Sequence, residues 1–272
     1  MSNIAIITAR GGSKRIPRKN IKEFCGKPII CYSIEAALES GVFDTVMVST
    51  DDEEIAQIAR EAGAQVPFFR SEATSNDYAG TADVLKEVID TYAGMGQTFD
   101  YGCCIYPTAP FVTGQKLRVA MDKLINRTTE QPAGPSATEK AEQSEINNAE
   151  QIEVTHQTTD QSTAQTEHAT TVMPVVAYSF PPQRSVRIGQ GGYLEKLDPV
   201  KYEMRSQDLE PIYHDAGQFY GFDIKAFSAT GQLIGDKVLP IVVNELEVQD
   251  IDNYEDWAMA EMKYRLMEKH CD

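Results

Sequence analysis

Short runs of β-branched and apolar residues alternate along this chain with stretches of helical period. That alternation limits the fold more than any other feature of the sequence. Residues 4–9 (IAIITA) are apolar almost throughout and run into a glycine pair, the pattern of a strand buried on both faces. Pro28 then opens a stretch in which Ile29, Ile30, Ile34, Ala37 and Leu38 share one helix face, with Gly41 as the stop. Residues 45–50 (TVMVST) read as a second strand, and Asp51 is expected to cap the helix that follows and ends at Gly63. The same reasoning predicts a helix over about 81–92, a strand over 101–106 and a helix over about 115–125. Strands over 172–180 and 238–243 and a closing helix over about 253–269 complete the set. Alternation at this spacing builds βαβ units, so the expected fold class is α/β, doubly wound around a mainly parallel sheet, in a single domain over 1–272.

One segment breaks the pattern. Residues 126–171 are crowded with Thr, Gln, Glu, Ser and Ala and contain no aromatic residue. Such a composition buries too little apolar surface to offset the entropy of ordering, so a flexible low-complexity insertion is expected there. His156 and His168 fall within it, too isolated to suggest a metal pair.

Composition narrows the function. A net charge of −16 argues against a general nucleic-acid binder, which would show a basic footprint. Cys25, Cys31, Cys103, Cys104 and Cys271 form no CxxC pair and sit mostly in apolar surroundings, as buried free thiols do. The first residues, MSNIAIITARGGSKR, have too short an apolar run and the wrong order for a signal peptide. No stretch approaches the roughly 18–20 apolar residues that span a bilayer, so a cytoplasmic protein without membrane association is expected.

Positive charge is nevertheless concentrated at one place. From Met1 to Lys27 there are seven Lys and Arg against a single acidic residue, Glu23. Most of them lie in the loop after the first strand, Ala9-Arg10-Gly11-Gly12-Ser13-Lys14-Arg15-Ile16-Pro17-Arg18-Lys19-Asn20, where open α/β sheets bind their ligands. Gly11 and Gly12 would let backbone N–H groups approach a phosphate, and Arg10, Lys14 and Lys19 would neutralise a triphosphate. Neither GxxxxGK[ST] nor GxGxxG is present. Near the other end stands Glu247-Val248-Gln249-Asp250-Ile251-Asp252. In an extended segment Asp250 and Asp252 share a face, where Mg²⁺ carrying substrate phosphates would relieve their repulsion. Taken alone, the pair reads rather as an acidic helix start than as a metal site, with Asp252 capping the last helix.

Together these residues resemble a family. The first loop is similar to the ARGGSK…KN signature of the CMP-sialic acid synthetases and related cytidylyltransferases. Asp250-Ile251-Asp252 followed by Asp256-Trp257 resembles that family's metal-binding end. Val48-Ser49-Thr50-Asp51-Asp52 and Tyr106-Pro107-Thr108-Ala109-Pro110 fall where the family has its second-strand and PTSP motifs. Arg70 with Ser75-Asn76-Asp77 resembles its nucleotide- and acceptor-holding segment, and Arg205-Ser206-Gln207 with Pro211 its RxQxxP stretch near the subunit interface. The likeness covers nearly the whole chain outside 126–171. Two departures stand out: Tyr106 occupies the usual place of Gln, and Asp215-Ala216-Gly217-Gln218-Phe219-Tyr220 replaces NGAIY. With Ser179-Phe180-Pro181-Pro182-Gln183-Arg184, these resemble the branch that acts on pseudaminic acid. Such swaps change the donors and apolar surface around a sugar, although Tyr106 also reads as a core tyrosine with a satisfied hydroxyl.

The resemblance implies a sheet of the nucleotide-diphospho-sugar transferase type, with residues 181–215 as a small dimerisation and sugar-side extension, and a homodimer. It implies Mg²⁺ held by Asp250 and Asp252, and CTP and an acidic nine-carbon sugar as substrates. Arg10, Lys14 and Lys19 would be catalytic. Ala9, Arg10, Gly11, Gly12, Ser13, Asn20, Arg70, Asp77 and Thr81 would bind the nucleotide, and Tyr106, Thr108, Arg184, Arg205, Gln207 and Gln218 the sugar. Another acidic keto sugar, whether sialic, legionaminic or 3-deoxy-octulosonic acid, remains open, as does a nucleotide-binding regulator without turnover.

Overall fold

The computed structural model describes residues 1–76, 78–126 and 168–268. Asp77, Cys271 and most of the expected insertion (127–167, including His156) lie outside the described residues. Seven strands share one sheet: β1 (Asn3–Thr8), β2 (Thr45–Ser49), β3 (Tyr101–Ile105), β4 (Thr171–Ala177), β5 (Tyr213–Asp215), β6 (Phe219–Asp223) and β7 (Val238–Val242). Their order is β7-β4-β6-β3-β1-β2, with β5 also paired to β4. β1 lies between β2 and β3 and is parallel to both, and β7 is parallel to β4.

The expectation of a mainly parallel sheet is corrected, because the sheet is mixed. β6 runs antiparallel to β3 and β4, and β5 antiparallel to β4. β5 and β6 follow β4 as one antiparallel run, interrupted around Ala216, Gly217 and Gln218, where Gly217 adopts φ 63°. The break falls beside Pro174, which has no N–H for a ladder and only accepts, from Ala216 N at 3.1 Å. β6 escaped the sequence reading because Gly221 interrupts its apolar run. The glycine is required by packing: a Cβ there would lie 2.7 Å from Val172 and 3.0 Å from the Met121 sulfur. Gly102, opposite Phe222 in β3, has the same explanation, since a Cβ would fall 2.4 Å from the Phe222 ring.

Helices cover both faces, as a doubly wound arrangement requires. α1 (Ile29–Ser40), α2 (Glu53–Glu61) and α4 (Gly114–Asn126) cover one face, and α3 (Thr81–Gly94) and α5 (Ile224–Thr230) the other. β1 shows why its run had to be apolar throughout. Ala5 and Ile7 enter the first core with Ile30, Ile34 and Leu117, whereas Ile4 and Ile6 enter the second with Leu85, Val88 and Phe222. A third cluster sets α6 (Tyr254–Glu268) against the basic loop, packing Trp257 and Ala260 on Ile16, Phe24, Ile29 and Ile251.

Local stops follow the sequence with two corrections. Gly41 ends α1 at φ 65°, as expected, although Leu38 stays largely exposed. The cap of α2 is Asp52, not Asp51: its carboxylate accepts from Ile55 N at 3.0 Å, leaving Asp51 to turn back toward the first loop. Nor does Asp252 cap the last helix. Asn253 accepts from Asp256 N at 2.9 Å, while Asp256 accepts from the N–H groups of Asp252 and Asn253.

Cys31, Cys103 and Cys104 are buried and, with half-buried Cys25, free. Burial pushes the Cys103 and Cys104 thiols well up, the latter to about 12. Among the described residues, no helix is long and apolar enough to cross a membrane.

Candidate active site

Beyond the carboxyl ends of β1, β2 and β3 the basic loop closes over a cleft of about 460 Å³. Its exit from the sheet is tied down by Ala9 N–H, which donates to Ser49 O at 2.9 Å. Asn20 is buried and donates from Nδ2 to Arg10 O at 2.9 Å, pinning one end of the loop to the other. Arg18, in the left-handed region at φ 57°, reaches Asp52 (Nη2 to Oδ1, 2.9 Å) and Glu54 and straps the loop to the start of α2. Gly11 donates its N–H to Asp51 Oδ1 at 2.9 Å, and a Cβ there would sit 2.8 Å from Asp52 Oδ2. That N–H is therefore occupied within the protein, whereas Gly12 has open space where a side chain would be.

Arg10, Lys14, Arg15 and Lys19 all line this cleft, with Ser13, Asn20, Tyr106 and Thr108. Four cations converge there in a chain of net charge −16, which makes the cleft a site for a polyanion. Ala9 is fully buried and offers only backbone. Arg70 is buried beneath the end of β2, donating to Ser49 Oγ at 3.1 Å and Ser49 O at 2.7 Å, and burial lowers its pKa. Arg10 reaches Asn76 O at 3.3 Å, so the loop meets the segment carrying Asp77, itself outside the described residues.

The acidic turn is drawn to the same cleft. Ile251 is buried in the third core cluster, and its neighbours Asp250 and Asp252 are left outside it. Lys19 Nζ donates to Ile251 O at 2.6 Å and stands 4.0 Å from Asp252, whose carboxylate pairs with Arg15 at 2.7 Å. Burial pulls the Lys19 ammonium below its usual pKa, opposed by Asp252 and Asp250. Because Asn253 and Asp256 perform the capping, the Asp252 carboxylate is available for charge chemistry. Two carboxylates suit Mg²⁺, which takes oxygen ligands and completes its shell from phosphates and water. No group of three or more His, Cys, Asp or Glu that could hold a metal occurs among the described residues.

A second cleft, of about 550 Å³, adjoins the first and shares Tyr106 with it. It is lined by Asp215, Gly217, Tyr220, His214, Asp250 and Lys263 among others. Sequence reasoning had not singled out Lys263, whose ammonium holds Val248 O (2.7 Å) and Glu245 O (3.2 Å), nor Arg15 as the partner of Asp252. Position supplies the only signal for either residue. Tyr106 packs edge-on against Tyr220 with ring centroids 5.6 Å apart.

Other candidate sugar residues sit elsewhere. Gln218 is buried, its amide donating to Glu247 O, so it braces the acidic turn. Arg184 donates to Tyr202 O at 3.2 Å and Ser206 Oγ at 3.1 Å, and Arg205 pairs with Asp208 at 2.7 Å. Both, with Gln207, stand on the projecting segment and line neither cleft of this chain.

The chain that carries this site is similar to known proteins. Residues 4–185 match the family model described as cytidylyltransferase. The chain is 36% identical over 266 residues to the pseudaminic acid cytidylyltransferase of Campylobacter jejuni, covering 98% of this chain and 97% of that protein. It is 31% identical to the CMP-N,N'-diacetyllegionaminic acid synthase of Legionella pneumophila, with the same coverage. Among solved structures, a CMP:2-keto-3-deoxy-manno-octonic acid synthetase complexed with CTP superposes with a TM-score of 0.60. That comparison covers 99% of this chain and all of the other at 15% identity, a likeness of fold. With most of its length matched and its first loop inside the match, this chain belongs to the cytidylyltransferase family.

Proposed function

We propose that this protein transfers CMP from CTP to the anomeric 2-hydroxyl of pseudaminic acid, an acidic nine-carbon sugar, and releases pyrophosphate. The observation that carries the reading is the pair of adjoining clefts meeting at Tyr106, one walled by four cations and the other by mixed polar groups. The full-length likeness to the Campylobacter enzyme supports the choice of sugar. In the reaction the sugar oxygen bonds to the α-phosphorus, the bond to the β-phosphate oxygen breaks, and the hydroxyl proton leaves to solvent.

Most of the catalysis is alignment and charge neutralisation. Arg10, Lys14 and Lys19 hold the triphosphate and stabilise the departing pyrophosphate. Ser13, Gly12 and Asn20 shape the nucleotide side of the cleft, and Thr81 and Thr108 its junction with the sugar. Arg70 sets the floor beneath β2, and Asp77 belongs to the adjoining segment. Asp250 and Asp252 would hold Mg²⁺, whose charge offsets the phosphates and favours ionisation of the attacking hydroxyl. Lys19, touching Ile251 O, keeps the acidic turn and the basic loop in register.

The protein acts as a homodimer in the cytoplasm. Residues 181–215 form the dimerising extension, on which Ile188, Tyr193, Leu194 and Val200 are all at least 70% exposed. Arg184, Arg205 and Gln207 would then serve the partner's second cleft. Comparing kcat/KM for pseudaminic and N-acetylneuraminic acid at saturating CTP tests the sugar. A preference of about a hundredfold follows from two unpaired buried polar groups at roughly 1–3 kcal/mol each. Equal values would refute the choice of pseudaminic acid.

A further inference from the structure

The acidic turn is held by side chains from elsewhere in the fold. After the short 3-10 turn Glu245–Glu247, residues 248–252 belong to no helix or strand. Lys263, on α6, donates to Val248 O at 2.7 Å and Glu245 O at 3.2 Å. Gln218, just before β6, donates from its amide to Glu247 O. Asp250 stands two residues beyond Val248, and Lys19 holds Ile251 O on its other side. Gln218 also ties the turn to the opposite wall of the second cleft, since its own carbonyl accepts from Tyr106 N at 2.9 Å. Its orientation is forced. A carbonyl only accepts, so the amide NH₂ faces Glu247 and Oε1 points away, buried and without a partner among the described residues. An unpaired buried acceptor lowers stability, so an apolar side chain would fill a purely packing role as well.

From these contacts we infer that Gln218 and Lys263 are positioning residues for metal binding, fixing the carbonyls of Glu245, Glu247 and Val248 so that the Asp250 carboxylate is presented at the cleft. This deepens the reading of Asp250 as a Mg²⁺ ligand and rests on it. Lys263 is the one Lys or Arg lining the second cleft among the described residues. Two of its three N–H groups are nevertheless spent on backbone carbonyls, which gives it a task within the protein. Methionine at 218 keeps the length of the side chain and removes the donor and the unpaired acceptor together, releasing Glu247 O without a packing defect. Arginine at 263 keeps a cation that can donate to two carbonyls, whereas methionine there cannot.

The test is CTP binding by calorimetry, without sugar, in Mg²⁺ and in EDTA, beside urea unfolding in EDTA. The ratio of the two affinities is the metal-dependent gain, which needs no turnover. Gln218→Met and Lys263→Met should each cut that gain about fivefold or more, with affinity in EDTA within about twofold of the parent. Gln218→Met should show an unchanged or higher urea midpoint, and Lys263→Arg should keep the gain. Added to Asp250→Asn, either methionine should cost nothing further, since both act through that carboxylate. A gain kept in either methionine variant would overturn the inference, as would losses that multiply with Asp250→Asn. So would a Lys263→Met effect confined to the sugar KM, which would set Lys263 against the sugar instead. If Lys263→Met fails to fold, Gln218→Met decides alone. A parent that binds CTP equally in EDTA, or an Asp250→Asn variant that keeps the gain, would refute Asp250 as a metal ligand and the inference with it. A gain lost in Asp250→Asn but kept in the methionine variants overturns the inference alone.

Discussion

Replacing Asp252 with Asn separates stability from function more sharply than any other change in this site. Its carboxylate pairs with Arg15, but the two side chains are 40% and 68% exposed, and a pair this wet contributes about 0–1 kcal/mol. Lys19 loses an anion at 4.0 Å but keeps the Ile251 carbonyl at 2.6 Å. The cap of α6 is untouched, because Asn253 and Asp256 make it and the backbone N–H of residue 252 is retained. The total cost to folding should stay below about 2 kcal/mol, a fall in Tm of no more than roughly 6 °C for a chain of this size. Activity should respond quite differently. A carboxylate that helps hold Mg²⁺ against a triphosphate supports several kcal/mol of charge stabilisation, so kcat/KM should fall on the order of a hundredfold or more. Pyrophosphate release measured across a Mg²⁺ titration, beside thermal unfolding of the same samples, reads both quantities. Parent-like turnover at limiting Mg²⁺ would remove Asp252 from the site, and a Tm loss well beyond that range would show that its role is structural.

Two further outcomes follow from the packing. Gly102→Ala should cost about 1–3 kcal/mol, seen as a lower urea midpoint with unchanged kinetic constants for the folded protein, because its Cβ meets the Phe222 ring at 2.4 Å. The hydrogen bond from Arg18 holds the Asp52 carboxylate below its ordinary value of 3.8. Its contribution to stability is therefore complete above that value and lost as pH falls through the lower folded value, so Asp52→Asn should flatten that part of the acid-unfolding curve.

How much of this was legible depended on whether a residue's role was local. The strands β1, β2 and β3 and the helices behind them were readable because burial on both faces leaves an uninterrupted apolar signature. The basic loop was readable because charge reverses sign there within a few residues. β6 was hidden because its glycine answers to Met121 and Val172, which come from other parts of the chain, and with β6 went the antiparallel half of the sheet. The caps at Asp52 and Asn253 were each misplaced by one residue. In both cases adjacent polar residues could serve, and tertiary partners chose: Gly11 took Asp51, and Arg15 took Asp252. Arg184, Arg205 and Gln207 were grouped with the sugar residues by their motifs, yet the partners of both arginines within this chain lie on the projecting segment.

The most direct measurement incubates the protein with CTP, Mg²⁺ and pseudaminic acid and identifies the products by mass and phosphorus NMR. One CMP-sugar phosphodiester and one pyrophosphate should appear for each sugar consumed, with UTP and ATP giving far less. Absence of CTP-dependent pyrophosphate release with pseudaminic, legionaminic, sialic and 3-deoxy-octulosonic acids alike would contradict cytidylyl transfer to an acidic sugar.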